Sequence, residues 1–519
     1  MRQSNRENCA QAIDLRIMQK ALIVTVLVAM LLGGRLVCAD SASALFSGPY
    51  ISGSSVYSAR DFAPDIAAHV GHPTSAAVLE SLRSAIRSRY ARDGYVTPII
   101  SVPAQDLQST NPRLIIHEAV ISAVEIRGNA GPYRTRIEEL AHELQRSQPL
   151  RKEQVRSVLR RISQLPGITS RPLFDQRPDV TNEFLLVLRV EYQRVAGKVE
   201  LNNGGTRGLG RELLTADLAM NNLLGIQEQL RLNGAVSSHP DRYHYEEARL
   251  ARRFDNTSVF ADVSGSTAVP DFDTHFRDAH FSTGLAQQLQ RSGAGILSLV
   301  ASLNGDNGSI RDSRGMTSIE DHERNIAFGV TFARSEASRG RLYIGAQHGL
   351  DVAGSQINEG ANADIDSQYT KYLLEAEQVF SLGTTWTFQI DFDGQVTGAV
   401  LPVLERFAFG GIGFGAAFDP ATLSGDSGAE VTAVLAHVIR ATGGRLQYLR
   451  VYLRSDTGIA WNNSPYFYHR DEASSAGGGV LARWTHVIAT LELSTPVEQP
   501  RYVSAAQSLR TFGSVAYVF

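Results

Sequence analysis

Only one stretch of the chain is continuously apolar. Ala21–Leu32, ALIVTVLVAMLL, follows Arg16 and Lys20 and precedes Val37-Cys38-Ala39. It is about a dozen residues long, whereas a helix needs roughly 20 to span a bilayer. A basic flank, a short apolar run and small residues before a cleavage point read as a secretory signal peptide over residues 1–39. No later segment can form a spanning helix. An exported chain of this kind belongs in the periplasm, outside the cell, or in a membrane as a closed barrel, because lipid admits only helices and closed barrels. Cys9 and Cys38, both in the leader, are the only cysteines of the sequence. The exported part is therefore expected to have neither a disulfide framework nor a cysteine metal site. Charged residues make up 20% and hydrophobic residues 43% of the chain, with 45 glycines. That is polar for a helical membrane protein and suits strands that alternate between lipid and lumen. A net charge of −3 offers no basic surface for nucleic acid.

After the leader the spacing reads as two small α/β units, over 48–118 and 119–193. In the first, Tyr50–Tyr57 is expected as a strand. Val78, Leu82, Ile86 and Tyr90 line a helix over Thr74–Asp93 that Gly94 stops. Tyr95–Val102 and Arg113–His117 are expected as strands, and Pro98 places the former at an edge. The second unit reads as a strand over Val120–Ile126 and two helices. One helix is lined by Ile137, Leu140, Ala141 and Leu144, the other by Val155, Val158, Leu159, Ile162 and Leu165. A strand over Phe184–Tyr192 closes the unit. An exposed strand edge beside a helix can take an extended chain by strand addition.

From Gly197 the period changes to two. Short alternating stretches such as Ile296–Leu303, Arg341–Ala346, Trp386–Phe392 and Val487–Leu493 are separated by Gly, Asn, Asp and Ser clusters. Among them lies Arg406–Gly428, RFAFGGIGFGAAFDPATLSGDSG, with four glycines between Phe409 and Ala416. Neither helix nor ordinary strand tolerates that density, so this segment is expected to fold back as a tight hairpin against other backbone.

Phe407, Gly410, Gly411, Gly415, Phe418, Leu423, Ser424, Gly425, Asp426 and Gly428 resemble, in register, the loop motif of two-partner secretion transporters of the ShlB/FhaC/HecB family. These are outer-membrane barrels of the BamA-like superfamily. Tyr90…Gly94-Tyr95…Val102-Pro103-Ala104-Gln105-Asp106-Leu107 resembles that family's first POTRA domain, and Leu165-Pro166-Gly167-Ile168 its second. Asn202-Asn203-Gly204-Gly205…Gly208-x-Gly210, followed by Asn221-Asn222-Leu223-Leu224-Gly225, resembles the start of its barrel. The resemblance implies an α+β periplasmic part of two POTRA domains, 48–118 and 119–193. A transmembrane antiparallel β-barrel over 197–519 would follow, with the loop motif 406–428 folded in. It implies about sixteen strands, and about 20 residues each, turns included, would use the available length.

The implied work is secretion of a large partner exoprotein of haemagglutinin, haemolysin or adhesin type across the bacterial outer membrane. The partners are that exoprotein, bound through the POTRA domains, and outer-membrane lipid. A third partner is the insertion machinery, which reads a terminal strand in which Thr511, Val515, Tyr517 and Phe519 face outward. No enzyme activity and no cofactor are expected. Cleavage after Ala39 would leave about eight residues before Gly48, too few for a plug helix at about 1.5 Å per residue.

One departure stands out. The arginine and glycine that the family carries at the loop tip are Ala416 and Ala417 here. The resemblance implies that the loop arginine's partner is Asp456, on a strand over Tyr452–Trp461. Arg454 lies two residues away, on the same side of that strand, and is expected to replace the missing arginine.

Two other functions are weighed. An assembly factor of the same superfamily would carry more POTRA domains than the two for which there is room. A secreted serine protease is suggested by Gly425-Asp426-Ser427-Gly428, but it needs a histidine and a buried aspartate for which no segment stands out. His117-Glu118 and His142-Glu143 lack the second histidine of a zinc helix.

Overall fold

Where the apolar spacing is helical the chain is helical, and where it alternates the chain is extended. The computed structural model describes residues 44–519 apart from 105–108, 177–181, 271–273, 293–294, 313–316, 335–338, 359–364, 366, 442, 465–468 and 501–508. The expected leader and the Gln105-Asp106-Leu107 part of the first motif lie outside the described residues. The chain divides into two compact units. One contains residues up to 124 with 142–156 and 174–186, and the other contains 125–141, 157–173 and 187–519.

The first α/β segment has strands β1 (Tyr50–Ser52), β2 (Ile99–Ser101) and β3 (Arg113–His117), with β3 in the centre. Its helices are α1 (Ala63–Ala67) and α2 (Ala76–Arg92). Ser75 caps α2 by accepting from the Val78 N–H at 3.3 Å, and Leu79, Leu82, Ile86 and Tyr90 are its buried face. The Tyr90 hydroxyl donates to Glu118 at 2.6 Å. Burial and the Asp93 carboxylate beside it push the Tyr57 phenol up to about 12.

Two strand expectations are corrected here. The strand expected over Tyr50–Tyr57 ends at Ser52, because Ser54 Oγ accepts from the Tyr57 N–H at 2.8 Å and bends the chain. A turn and α1 follow, which bury Phe62. Of Tyr95–Val102 only Ile99–Ser101 is a strand. It begins after Pro98, which has no N–H to give a ladder, and it is an edge strand.

The next segment has β4 (Val120–Asn129), α3 (Arg134–Arg146), α4 (Lys152–Ser163), β5 (Ile168–Gln176) and β6 (Glu183–Tyr192). Its sheet runs β4-β6-β5, so β5 is an edge. No alternation in ITSRPLFDQ announced β5: after Ile168 nearly all of its side chains are solvent-facing, so burial imposed no pattern.

A closed antiparallel barrel follows. Its strands begin with β7 (Val195–Asn202), β8 (Leu213–Asn221), β9 (Glu228–Ser237), β10 (Tyr243–Phe254), β11 (Thr257–Ala268), β12 (His275–Ser292), β13 (Gly295–Arg311), β14 (Thr317–Arg334) and β15 (Gly340–Gly349). The three-residue β16 (Gln356–Asn358) pairs with β14. Then come β17 (Thr370–Leu382) and β18 (Trp386–Thr397). The short β19 (Phe407–Phe409) and β20 (Leu423–Gly425) pair only with each other and are not part of the barrel wall. The wall is completed by β21 (Ser427–Arg440), β22 (Leu446–Trp461), β23 (Arg470–Trp484), β24 (Val487–Glu498) and β25 (Arg510–Val518). Sixteen long strands make the wall, and β25 pairs with β7 to close it, from Ser514↔Asn202 to Val518↔Lys198.

The alternation on these strands sorts lipid from lumen. Leu491 is 56% exposed and Leu493 45%, while Glu492 and Ser494 between and beyond them are 4% and 3% exposed. Val263, Leu303, Phe328, Ile344, Leu453 and Val515 are likewise exposed on the outer face. Only a surface bathed in hydrocarbon rewards that arrangement. The strands are unequal: β12, β13 and β14 have 18, 17 and 18 residues, whereas β7, β8, β9 and β25 have 8, 9, 10 and 9. Among the described residues no helix is long and apolar enough to cross a membrane.

Candidate functional site: a loop folded into the barrel

The segment between β18 and β21 turns inward and packs on the lumen face of the wall. β19 and β20 form its two legs, paired Phe407↔Gly425, Ala408↔Ser424 and Phe409↔Leu423. Phe407, Phe409, Phe418, Leu423 and Ala417 are buried together with Ala460 of β22 and Ala473 of β23. Each buried phenylalanine contributes roughly 1.5–3 kcal/mol by leaving water. The glycines make the fit possible. Gly410 sits at φ +127°, and a Cβ there would lie 2.2 Å from the Asp419 carbonyl oxygen. On the wall, a Cβ at Gly458 would lie 2.3 Å from the Phe409 ring. Gly411 and Gly415 also have positive φ, and Gly428 lies under the Phe407 ring. Ser424 is exposed opposite Ala408.

Asp456 is 1% exposed on the lumen face of β22. Its Oδ1 accepts from Arg454 Nε at 2.8 Å and Thr432 Oγ1 at 2.6 Å. Its Oδ2 accepts from Ser475 Oγ at 2.8 Å and from the Ala416 backbone N–H at 3.2 Å. Arg454 Nη2 also donates to the Gly413 carbonyl in the loop. The structure thus brings together Arg454, Asp456 and the loop tip, and the tip contributes backbone where the motif carries an arginine. Asp426, in the returning leg, is also 1% exposed and accepts from the N–H groups of Leu401 at 2.8 Å and Asn463 at 2.7 Å.

Sequence reasoning missed two anchors. Arg510, on β25, donates to the Phe418 carbonyl, lies 3.4 Å from Asp419, and reaches the carbonyls of Gly204 and Gly205 at 3.3 Å. Glu405, just before the motif, is 6% exposed and pairs with Lys371 at 2.6 Å. Neither belongs to a local pattern, because each partner is far along the chain.

Ser427 is not a nucleophile. It is fully buried, with its hydroxyl bonded to the Thr397 N–H at 3.0 Å and the Thr397 carbonyl at 3.3 Å. At the chain end, Tyr517 and Phe519 are outward-facing, with rings stacked at 6.1 Å. Phe519 and Gly197 exchange backbone hydrogen bonds, each of 3.0 Å.

Residues 185–482, more than half of the chain, match the family described as haemolysin secretion/activation protein ShlB/FhaC/HecB. The chain belongs to this family. Residues 47–118 match the ShlB-type POTRA domain. Membership of the ShlB/FhaC/HecB family places the barrel in the bacterial outer membrane and the POTRA part in the periplasm. The chain is 21% identical over 384 residues to the outer membrane transporter CdiB of Dickeya dadantii, covering 68% of this chain and 64% of that one. It is 20% identical over 360 residues to the heme/hemopexin transporter protein HuxB of Haemophilus influenzae, covering 66% of this chain and 63% of that one. The matched region thus spans just under two thirds of either relative's length. CdiB from Escherichia coli has a similar fold, with a TM-score of 0.71 at 18% identity over 94% of this chain and 92% of that one. BamA from Haemophilus ducreyi lacking POTRA domains 1–3 has a TM-score of 0.51 at 13% identity, over 92% of this chain and 100% of that one.

Proposed function

We propose that the chain is the outer-membrane pore of a two-partner secretion pair and exports a large exoprotein of haemagglutinin, haemolysin or adhesin type. The observation that carries this reading is the in-folded loop: a closed barrel of the ShlB/FhaC/HecB family whose lumen holds a segment with buried phenylalanine contacts and polar ties. A loop held in this way can occlude a resting channel and yield to a passing chain. Residues 119–193 act as a second POTRA domain. The exoprotein is captured at the edge strand β5, beside the apolar groove lined by Val96, Leu150, Val155, Phe174 and Phe184. An extended segment that adds to β5 gains backbone hydrogen bonds there and side-chain contacts in the groove. Secretion needs no catalytic residue of this chain, and none is assigned.

The test is co-expression with the exoprotein encoded by a neighbouring reading frame. Export of that protein with this chain, and its retention without it, is the expected outcome. Retention in both cases overturns the proposal. Rescue of barrel assembly in cells depleted of their insertion machinery would instead favour an assembly factor, the reading to which the BamA-like fold is open.

A further inference from the structure

Both legs of the loop run into one buried polar knot in the barrel wall, away from the tip. Glu405 ends the 3₁₀ turn Val403–Glu405 that precedes β19. Its carboxylate accepts from Lys371 Nζ at 2.6 Å, Gln347 Nε2 at 2.7 Å and Asn325 Nδ2 at 3.1 Å. Its backbone carbonyl accepts from Lys371 Nζ at 3.0 Å and Gln395 Nε2 at 2.9 Å. The same Gln395 amide donates to the Asp426 carbonyl, on the other leg, at 3.0 Å. Asn325, Gln347, Lys371 and Gln395 stand on β14, β15, β17 and β18. Four wall strands therefore converge on one residue of the loop stem.

The asymmetry of buried ion pairs matters here. Such a pair adds little net stability when intact, yet removing one partner leaves an uncompensated charge at high cost. Lys371 is 6% exposed. If the stem moves out, Lys371 stays in the wall without its carboxylate. The free energy of leaving is therefore concentrated at this contact. Glu323 is 1% exposed on β14 and sets its carboxyl against that of Glu405, and two carboxyls in contact hold a proton between them.

We propose that Glu405 latches the loop: a positioning residue whose contacts with Lys371, Gln347 and Asn325 hold the stem in the lumen independently of the tip. This rests on the reading of the chain as a pore with a movable loop. The reporter is Ala417→Cys, a position 2% exposed in the phenylalanine cluster. Cys9 and Cys38, the native cysteines, lie in the expected leader. The full-length protein in detergent is treated with a water-soluble maleimide, and folding is checked by heat-modifiable gel migration.

Glu405→Gln and Lys371→Met should each speed labelling at least about tenfold, the factor that corresponds to about 1.4 kcal/mol. Glu323→Gln keeps a hydrogen-bond donor beside Glu405 and should leave labelling unchanged. Unchanged labelling in folded Glu405→Gln and Lys371→Met overturns the latch, as does equal acceleration by Glu323→Gln. Should the charge variants fail to insert, Gln347→Met removes one donor and no charge. A smaller acceleration there supports the latch, and no acceleration overturns it. No exoprotein enters the measurement, so failure of the export reading leaves its result intact.

Discussion

At the scale of single residues, the loop tip is tied to the barrel wall through Asp456. Its carboxylate is buried, so it requires donors. Arg454 supplies charge from the same strand, and the loop supplies the Ala416 N–H. Arg454→Ala should therefore release the tip and impair export. The cost is about 3 kcal/mol, at the low end for a broken buried pair. Adding Ala416→Arg to that variant should restore part of the export. Secretion assays on the single and double variants check both outcomes. If Arg454→Ala is silent while Asp456→Ala is damaging, Arg454 is not the partner that matters. The Arg454–Asp456 spacing was legible in the sequence because two residues of one strand share a face whatever the rest of the fold does. Arg510 and Glu405 were not legible. Arg510 meets Gly204 across the closure of the barrel, and Glu405 meets Lys371 across the loop stem.

At the scale of elements, strong periodicity was decisive and edges were not. The helix expected over Thr74–Asp93 is Ala76–Arg92, and the strand Arg113–His117 is found as expected. β5 escaped notice because an edge strand facing solvent carries no burial pattern. The element left unannounced is the one to which we assign partner capture. Phe174 is 44% exposed beside the groove, so its replacement costs little stability. Phe174→Asp in the full-length protein should weaken binding of the exoprotein's N-terminal domain by about tenfold, since a charge facing an apolar segment costs of the order of 1.4 kcal/mol. Titration calorimetry checks this. Unchanged affinity would move the capture site elsewhere on this part of the chain.

At the scale of the whole molecule, the barrel closes between its last strand and its first. Phe519 contributes a pair of backbone hydrogen bonds to that closure, and Tyr517 and Phe519 face outward beside it. Removing Phe519 should lower the amount of heat-modifiable protein in the outer membrane several-fold without changing synthesis, as pulse-labelled fractions would show. Equal amounts of folded protein would mean that the terminal strand is dispensable as an insertion signal.

The unequal strands have a consequence for the exit. At about 3.3 Å per residue and a tilt of about 40°, strands of about 18 residues rise roughly 45 Å along the barrel axis. Strands of about 9 residues rise roughly 23 Å, close to the apolar band of about 25 Å. β7 follows the periplasmic part, which puts the turns at Asn222–Gln227 and Asp255–Asn256 on the periplasmic side; there Gln288–Ser292 of β12 run past the end of β11, whereas Thr317–Arg324 of β14 run past the last pair with β15, Asn325↔Gly349, on the outer side. On the proposed export reading, a rim raised at β14 and low at β7–β9 and β25 would act as a spout. An exported polypeptide would then be screened on its tall side and pour over the low lip, where the barrel's first and last strands meet.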